Sequence, residues 1–299
     1  MPNSIRRFLL TIAVCAMVAF PLSGQQTDKQ SPEKPPYRKA PTGYDKTPML
    51  PGQPWRVHDG NRPHPKVVEP GTFSTQTQPG KPPSDAIVLF DGKNLDKWSM
   101  EYRERRGQGQ PRGPLEIRPA GWTVKDGYFE VVPGMGSLIT KEKFGDIQLH
   151  LEFMTPPEVE GDSQWRANSG IIFMKRYEMQ VLDSYNNPTY ADGQTGAIYG
   201  QYPPLVNPVR KPGEWQVYDI VFEAPKFENG KLVKPVYFTA FLNGVLLHNR
   251  QAAIGRMAHQ EVGTYEPHDA EEPLLLQDHD VHVRFRNIWV RRLKGYDAH

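Results

Sequence analysis

The chain has 299 residues, a formal net charge of +2 and a single cysteine. Its 36 basic residues are spread among 34 acidic ones with no basic block, which gives no support for nucleic-acid binding. Cys15 lies in an N-terminal apolar run. Once that run is removed, the chain has no disulfide, no thiolate metal site and no cysteine nucleophile.

That run reads as a signal peptide over residues 1–24. Arg6 and Arg7 give a positive start, Phe8 to Phe20 form the apolar stretch, and Pro21-Leu22-Ser23-Gly24 supplies small residues for cleavage. The stretch is too short for a spanning helix, which needs roughly 20 apolar residues. The expected location is therefore periplasmic or secreted, with an uncleaved anchor as the alternative. Residues 25–85 follow as a Pro-rich linker or extended arm. Within it, 44–60 carries Tyr44, Met49, Leu50, Trp55 and Val57. A solvated tether has no use for these, so this piece is expected to pack on the domain that follows.

From Ala86 the pattern changes to a period of two. Ile147, Leu149, Leu151 and Phe153 alternate with Gln148, His150 and Glu152, which marks a half-buried strand. Similar runs occupy 122–132, 171–182, 215–223, 236–247 and 281–293. Asp126-Gly127, Asn229-Gly230 and Asn243-Gly244 supply turns between or within them. No segment keeps a helical period. The expected fold is all-β, a jelly-roll sandwich of two antiparallel sheets over 86–295.

In a sandwich the outward members of the alternation face ligand. In YEMQVLD (177–183), Tyr177, Met179 and Val181 turn to the core, which leaves Glu178 and Gln180 side by side on the open face. Asp183 has the opposite parity and joins them only through a bulge. Gln277 and His279 stand in a polar loop with Asp278 and Asp280, where His279 is a candidate acid–base group. Arg286 can offer its planar fork to a carboxylate or to sugar hydroxyls. Tyr199 in DGQTGAIYGQYPP is a candidate stacking surface. Arg166 and Asn168 precede the 171 strand and line the same end. His279 and His282 are three apart at a strand start, a spacing that does not align them for zinc. No phosphate-binding glycine loop, nucleophile elbow or paired-His helix is present.

FDGKNLDKW (90–98), GWTVKDGYFEV (121–131), LITKEKFGDIQLHLEF (138–153), NSGI (168–171), YEMQVLD (177–183), TGAIYG (195–200), KPGEW (211–215), LNGVLLH (242–248) and LLLQDH with VRFRNIWV (274–290) occur in one order. Together they resemble the 3-keto-disaccharide hydrolase domain family, also described as 3-keto-glucoside 1,2-lyase and 3-keto-2-hydroxyglucal hydratase. The resemblance implies a concanavalin A-like jelly roll and an exported role in glycan breakdown. More distantly, Glu178, Gln180 and Asp183 sit at the offsets of the Glu-x-Asp-x-x-Glu strand of laminarinase-type hydrolases. Gln180 replaces the middle Asp and Asp183 the second Glu. A retaining hydrolase needs two carboxyl groups about 5–5.5 Å apart, a spacing that the shorter Asp puts in doubt.

A 3-keto sugar makes another route available, in which a base removes the C2 proton and the C1 substituent leaves. Expected roles are Glu178 or His279 as base and acid, and Asp183 on a cation or the sugar. Gln180, Asn168 and Gln277 would bind hydroxyls, and Arg286 or a metal would face the enolate charge. A divalent cation is a candidate cofactor of unfixed identity. The implied partners are a glycan or 3-keto-glycoside substrate and an upstream glycoside 3-oxidoreductase. The competing readings are a noncatalytic carbohydrate-binding module and a conventional retaining glycosidase.

Overall fold

The computed structural model describes residues 41–104 and 113–297. The signal peptide read over 1–24 and the first part of the Pro-rich stretch, 25–40, lie outside the described residues. Two compact units divide at Arg62–Pro63. In the first, 41–62, Tyr44 bridges Asp59 and Met49 bridges Arg56, so the segment that carries Trp55 folds back on itself. The Asp59 carboxylate fixes this turn by accepting from the backbone N–H groups of Arg56 and Asn61.

The second unit carries all sixteen strands among the described residues. In chain order they are β1 (Ile87–Phe90), β2 (Trp98–Arg103), β3 (Leu115–Pro119), β4 (Thr123–Lys125), β5 (Tyr128–Glu130), β6 (Ser137–Phe144), β7 (Ile147–Met154), β8 (Ser169–Phe173), β9 (Tyr177–Val181), β10 (Gln216–Glu223), β11 (Lys226–Glu228), β12 (Lys231–Lys234), β13 (Tyr237–Leu242), β14 (Val245–Ala252), β15 (Glu272–Leu276) and β16 (Arg284–Arg292). The larger sheet runs β14-β13-β10-β7-β16-β5-β4, with β1 also on β16. The smaller runs β3-β2-β6-β15-β8-β9, and β11-β12 is a separate ribbon. All of these pairs are antiparallel.

The two sheets face each other through the apolar members of the alternation. Leu149, Leu151 and Phe153 of β7 and Tyr218, Ile220 and Phe222 of β10 join Trp98, Ile171, Phe173, Tyr177, Met179 and Val181 from the smaller sheet in one core. Each large side chain buried this way contributes about 1.5–3 kcal/mol. The jelly-roll sandwich expected from the period is the one observed.

Three of the runs are hairpins. The 122–132 run turns at Asp126-Gly127 and the 236–247 run at Asn243-Gly244, as the sequence led us to expect. The 171–182 run turns at Met174 and Lys175, both at positive φ (52° and 58°). Neither residue is a turn former, so nothing in the sequence marked that break. The hairpin sets Glu178 opposite Ile172 and Gln180 opposite Gly170.

On the outer face of the larger sheet lies a polar cluster under residues 74–76. Glu152, fully buried, accepts from Arg286 Nε (2.7 Å), Asn287 Nδ2 (2.7 Å) and Ser74 Oγ (2.5 Å). His150 bonds Asp219 at 2.7 Å, lies 3.5 Å from Glu152 and stacks on Trp289. Gln76 pairs with both backbone groups of Trp215, as an added strand would. Asp85 closes this segment with a two-pronged bond to Arg291. Burial alone would lower the His150 pKa, but Asp219 and Glu152 outweigh it and raise it to about 9.

Candidate active site

A cavity of about 830 Å³ opens on the outer face of the smaller sheet. Asn168, Glu178, Gln180 and Gln277 form its polar floor. Its rim carries Trp165, Tyr190, Tyr199, Arg256, His259 and His279. β9 is the edge strand, and residues 196–199 cover that edge. Gln180 N–H donates to Ala197 O, Gly196 N–H to Gln180 O, and Tyr199 N–H to Glu178 O. This cover turns an edge strand into a buried floor, with Glu178 5% and Gln180 1% exposed.

Glu178 is the most perturbed carboxyl of the site. Among the described residues no hydrogen bond or ion pair reaches its side chain, and burial alone pushes it up to about 8. Its carboxyl lies across Gly170, where a Cβ would meet Oε1 at 2.4 Å. The glycine of the NSGI segment is what makes room for it. A carboxyl that titrates near neutrality without a counter-charge suits proton transfer.

Gln180 is locked by its neighbours. Its Nε2 donates to Gln164 Oε1 (3.0 Å) and Gly193 O (3.2 Å), both acceptors, which fixes the orientation of the amide. Its Oε1 is buried and has no partner among the described residues. It is therefore an acceptor open to a hydrogen-bond donor. Asn168 Nδ2 donates to Gln164 O at 2.9 Å. Gln277 is held through its backbone, where its N–H donates to Gly170 O and its carbonyl accepts from Ser169 Oγ. Asp278 ties down the loop of His279 by accepting from the N–H groups of Gly136 and Asp280. His279 then stands beside Trp165, their ring centres 6.0 Å apart. Tyr199 Oη lies 3.0 Å from both Tyr190 Oη and His259 Nδ1, and burial together with the Tyr190 hydroxyl raises its pKa.

Six of the residues expected from the sequence meet here: Glu178, His279, Asn168, Gln180, Tyr199 and Gln277. Three do not line the cavity. Asp183 lies beyond the end of β9 and is neutralised by Arg166 Nε at 2.6 Å, while its other oxygen accepts from Tyr185 N–H. Arg166 is used in that pair and on Tyr185 O. Arg286 lies in the larger sheet, bound to Glu152 and resting on Trp215. Its position follows from the chain crossing between sheets after β15, so that His279 and Arg286 end on different layers. The laminarinase-type carboxyl pair is thus not assembled, because its second member is held in a structural ion pair.

The sequence reading missed Gln164, Trp165, Tyr190, Arg256 and His259. An isolated Trp in the polar stretch Gly161–Arg166 was the one available signal. Arg256 and His259 belong to a loop whose course depends on Gly255 lying against Gly263, where a Cβ would meet Gly263 O at 2.4 Å. Met257 N–H anchors that loop to Arg176 O at 2.7 Å. Arg256 is exposed, with its guanidinium 3.4 Å from Met257 O. Among the described residues no group of three or more His, Cys, Asp or Glu is arranged to hold a metal ion. Asp183, proposed for a cation, already has Arg166.

Residues 85–291 match the model of the 3-keto-α-glucoside-1,2-lyase-like domain. A crystal structure from Parabacteroides distasonis, provisionally described as a glycosyl hydrolase, is 40% identical, with a TM-score of 0.70. The match covers 85% of this chain and 100% of that one. A second structure from the same organism, with the same provisional description, is 19% identical over 70% of this chain and 94% of its own, with a TM-score of 0.48. It adds nothing to the assignment. Among curated proteins none matches this sequence. The family match over most of the chain and the relative at 40% identity lead to one conclusion: the chain belongs to the 3-keto-α-glucoside-1,2-lyase-like, 3-keto-disaccharide hydrolase family, a carbohydrate-active family of β-sandwich proteins.

Proposed function

We propose that the protein cleaves 3-keto-glycosides by elimination followed by hydration. The observation that carries this reading is Glu178, a carboxyl without a counter-charge and with its pKa at about 8, on the floor of a polar cavity. The C3 carbonyl of the sugar acidifies the C2 hydrogen. Ionised Glu178 takes that proton, the electron pair forms the C1–C2 double bond, and the C1–O bond breaks. His279 gives a proton to the leaving oxygen. Water then adds at C1 and gives a proton to His279, Glu178 protonates C2 after exchanging its proton with solvent, and a free 3-keto sugar results. Gln180 Oε1, Asn168 and Gln277 bind hydroxyls, and Arg256 takes the role first considered for Arg286, facing charge on the C3 oxygen. Asp278 positions His279.

The substrate must be made by an oxidoreductase acting at C3 of a glycoside, which is the partner class this chemistry requires. The N-terminal apolar run supports action outside the cytoplasm, in the periplasm or beyond. A 3-keto glucoside carrying deuterium at C2 tests the route. Elimination returns sugar that has lost its label faster than free 3-keto sugar loses it in buffer. Product that retains the label would exclude proton abstraction at C2.

A further inference from the structure

We propose that Trp165 is the platform for the leaving sugar, which makes the protein selective for disaccharide-like substrates over small alkyl glycosides. This deepens the function proposed above and rests on the role given there to His279. Trp165 ends the 3-10 turn Ser163–Trp165 and is 73% exposed, although it is the largest apolar side chain lining the cavity. Leaving an indole in water forgoes the burial that the fold would otherwise gain. The turn is nonetheless rigidly built. Ser163 is at φ 47°, a region that disfavours side chains. Buried Asn187 holds it from both sides, accepting from Ser163 N–H (2.9 Å) and donating to Ser163 O (3.0 Å). Thr189 Oγ1 lies 2.9 Å from Ser163 Oγ and accepts from Gln164 Nε2 at the same distance. Gln164 Nε2 also donates to Gly193 O at 2.9 Å. So many bonds spent on a strained turn that buries no indole fix an aromatic face at the mouth of the cavity.

The order of groups says what that face meets. Glu178 lies on the floor and addresses C2 of the reacting ring. His279 addresses the glycosidic oxygen. Trp165 stands next to His279, at 6.0 Å between ring centres, and is far more exposed than Glu178. It therefore lies on the side of the oxygen away from the reacting ring. A pyranose presents a C–H surface that an aromatic ring accepts, and the indole provides one of suitable size.

The test compares wild type, Trp165→Ala and Trp165→Phe on a 3-keto-glucosyl-glucose and on methyl 3-keto-glucoside. The platform predicts that Trp165→Ala loses about tenfold more kcat/KM on the disaccharide than on the methyl glycoside. The difference should reside in KM, and Trp165→Phe should recover most of it. Equal losses on both substrates, or no loss, would overturn it. If wild type turns over neither, the proposed reaction falls on its own, and the platform is judged by calorimetric titration with the unoxidised disaccharide. Weaker binding by Trp165→Ala than by wild type would then support it. Equal affinity, or no binding by wild type, would overturn it.

Discussion

Glu178→Gln should lower kcat/KM on a 3-keto glucoside by about 10³-fold, within the range that a positioned general base contributes, while making the protein more stable at alkaline pH. Both effects have one cause. Burial raises the folded-state pKa of Glu178 from 4.5 to about 8, so the native state holds a proton that the unfolded chain releases above pH 4.5. The linked stability is complete below about pH 4.5 and is lost as pH rises to about 8. Above that, wild type carries a buried charge without a partner, and the Gln variant does not. Denaturant titrations at pH 5 and pH 8.5 should show wild type falling relative to the variant by a few kcal/mol. The same ionisation should appear in activity, with kcat/KM rising with pH toward a plateau above about 8. A variant with normal turnover, or a pH profile flat between 6 and 9, would remove Glu178 from the chemistry.

The largest loss of stability should come from Glu152→Ala. This carboxylate is fully buried and accepts from Arg286, Asn287 and Ser74, with His150 at 3.5 Å. Its removal leaves the Arg286 guanidinium buried and uncompensated and frees Ser74 from the sheet. Breaking one side of a buried pair costs about 3–5 kcal/mol. The cluster also has a pH signature. The His150 pKa is raised from 6.5 to about 9, so its contribution is fully present below about pH 6.5 and is lost as pH rises through about 9. Wild type should therefore lose stability between pH 7 and 10, and Glu152→Ala should show a shallower alkaline decline. Urea midpoints at pH 7 and 9.5 check both statements. A loss near zero at pH 7 would mean that the cluster does not hold residues 74–76.

The parity of β9 was readable because side chains alternate strictly along a strand, and it placed Glu178 and Gln180 on one face. The strand run also announced a sandwich. What the sequence did not reveal depended on contacts between distant segments. Arg166 and Asp183 were each chosen as site residues, yet they satisfy one another, since one salt bridge across 17 positions leaves no periodic trace. Arg286 follows His279 by seven residues, but the chain changes sheets between them. The Met174-Lys175 turn broke a run that looked continuous, because left-handed backbone at such residues is set by pairing on either side. Trp165 and Arg256 reach the cavity on irregular loops whose paths are fixed by hydrogen bonds and close glycine contacts. Within the Pro-rich stretch the roles of Ser74 and Gln76 were not legible, since both are ordinary polar residues until Glu152 and Trp215 meet them.

The most direct measurement offers purified protein a 3-keto aryl glucoside and its unoxidised parent and follows release of the aryl alcohol. Release from the keto form alone is the predicted result, because only the C3 carbonyl makes the C2 proton accessible to Glu178. Release from the parent would contradict the account in favour of ordinary glycoside hydrolysis. Binding of both without release would leave a carbohydrate-binding module in place of an enzyme.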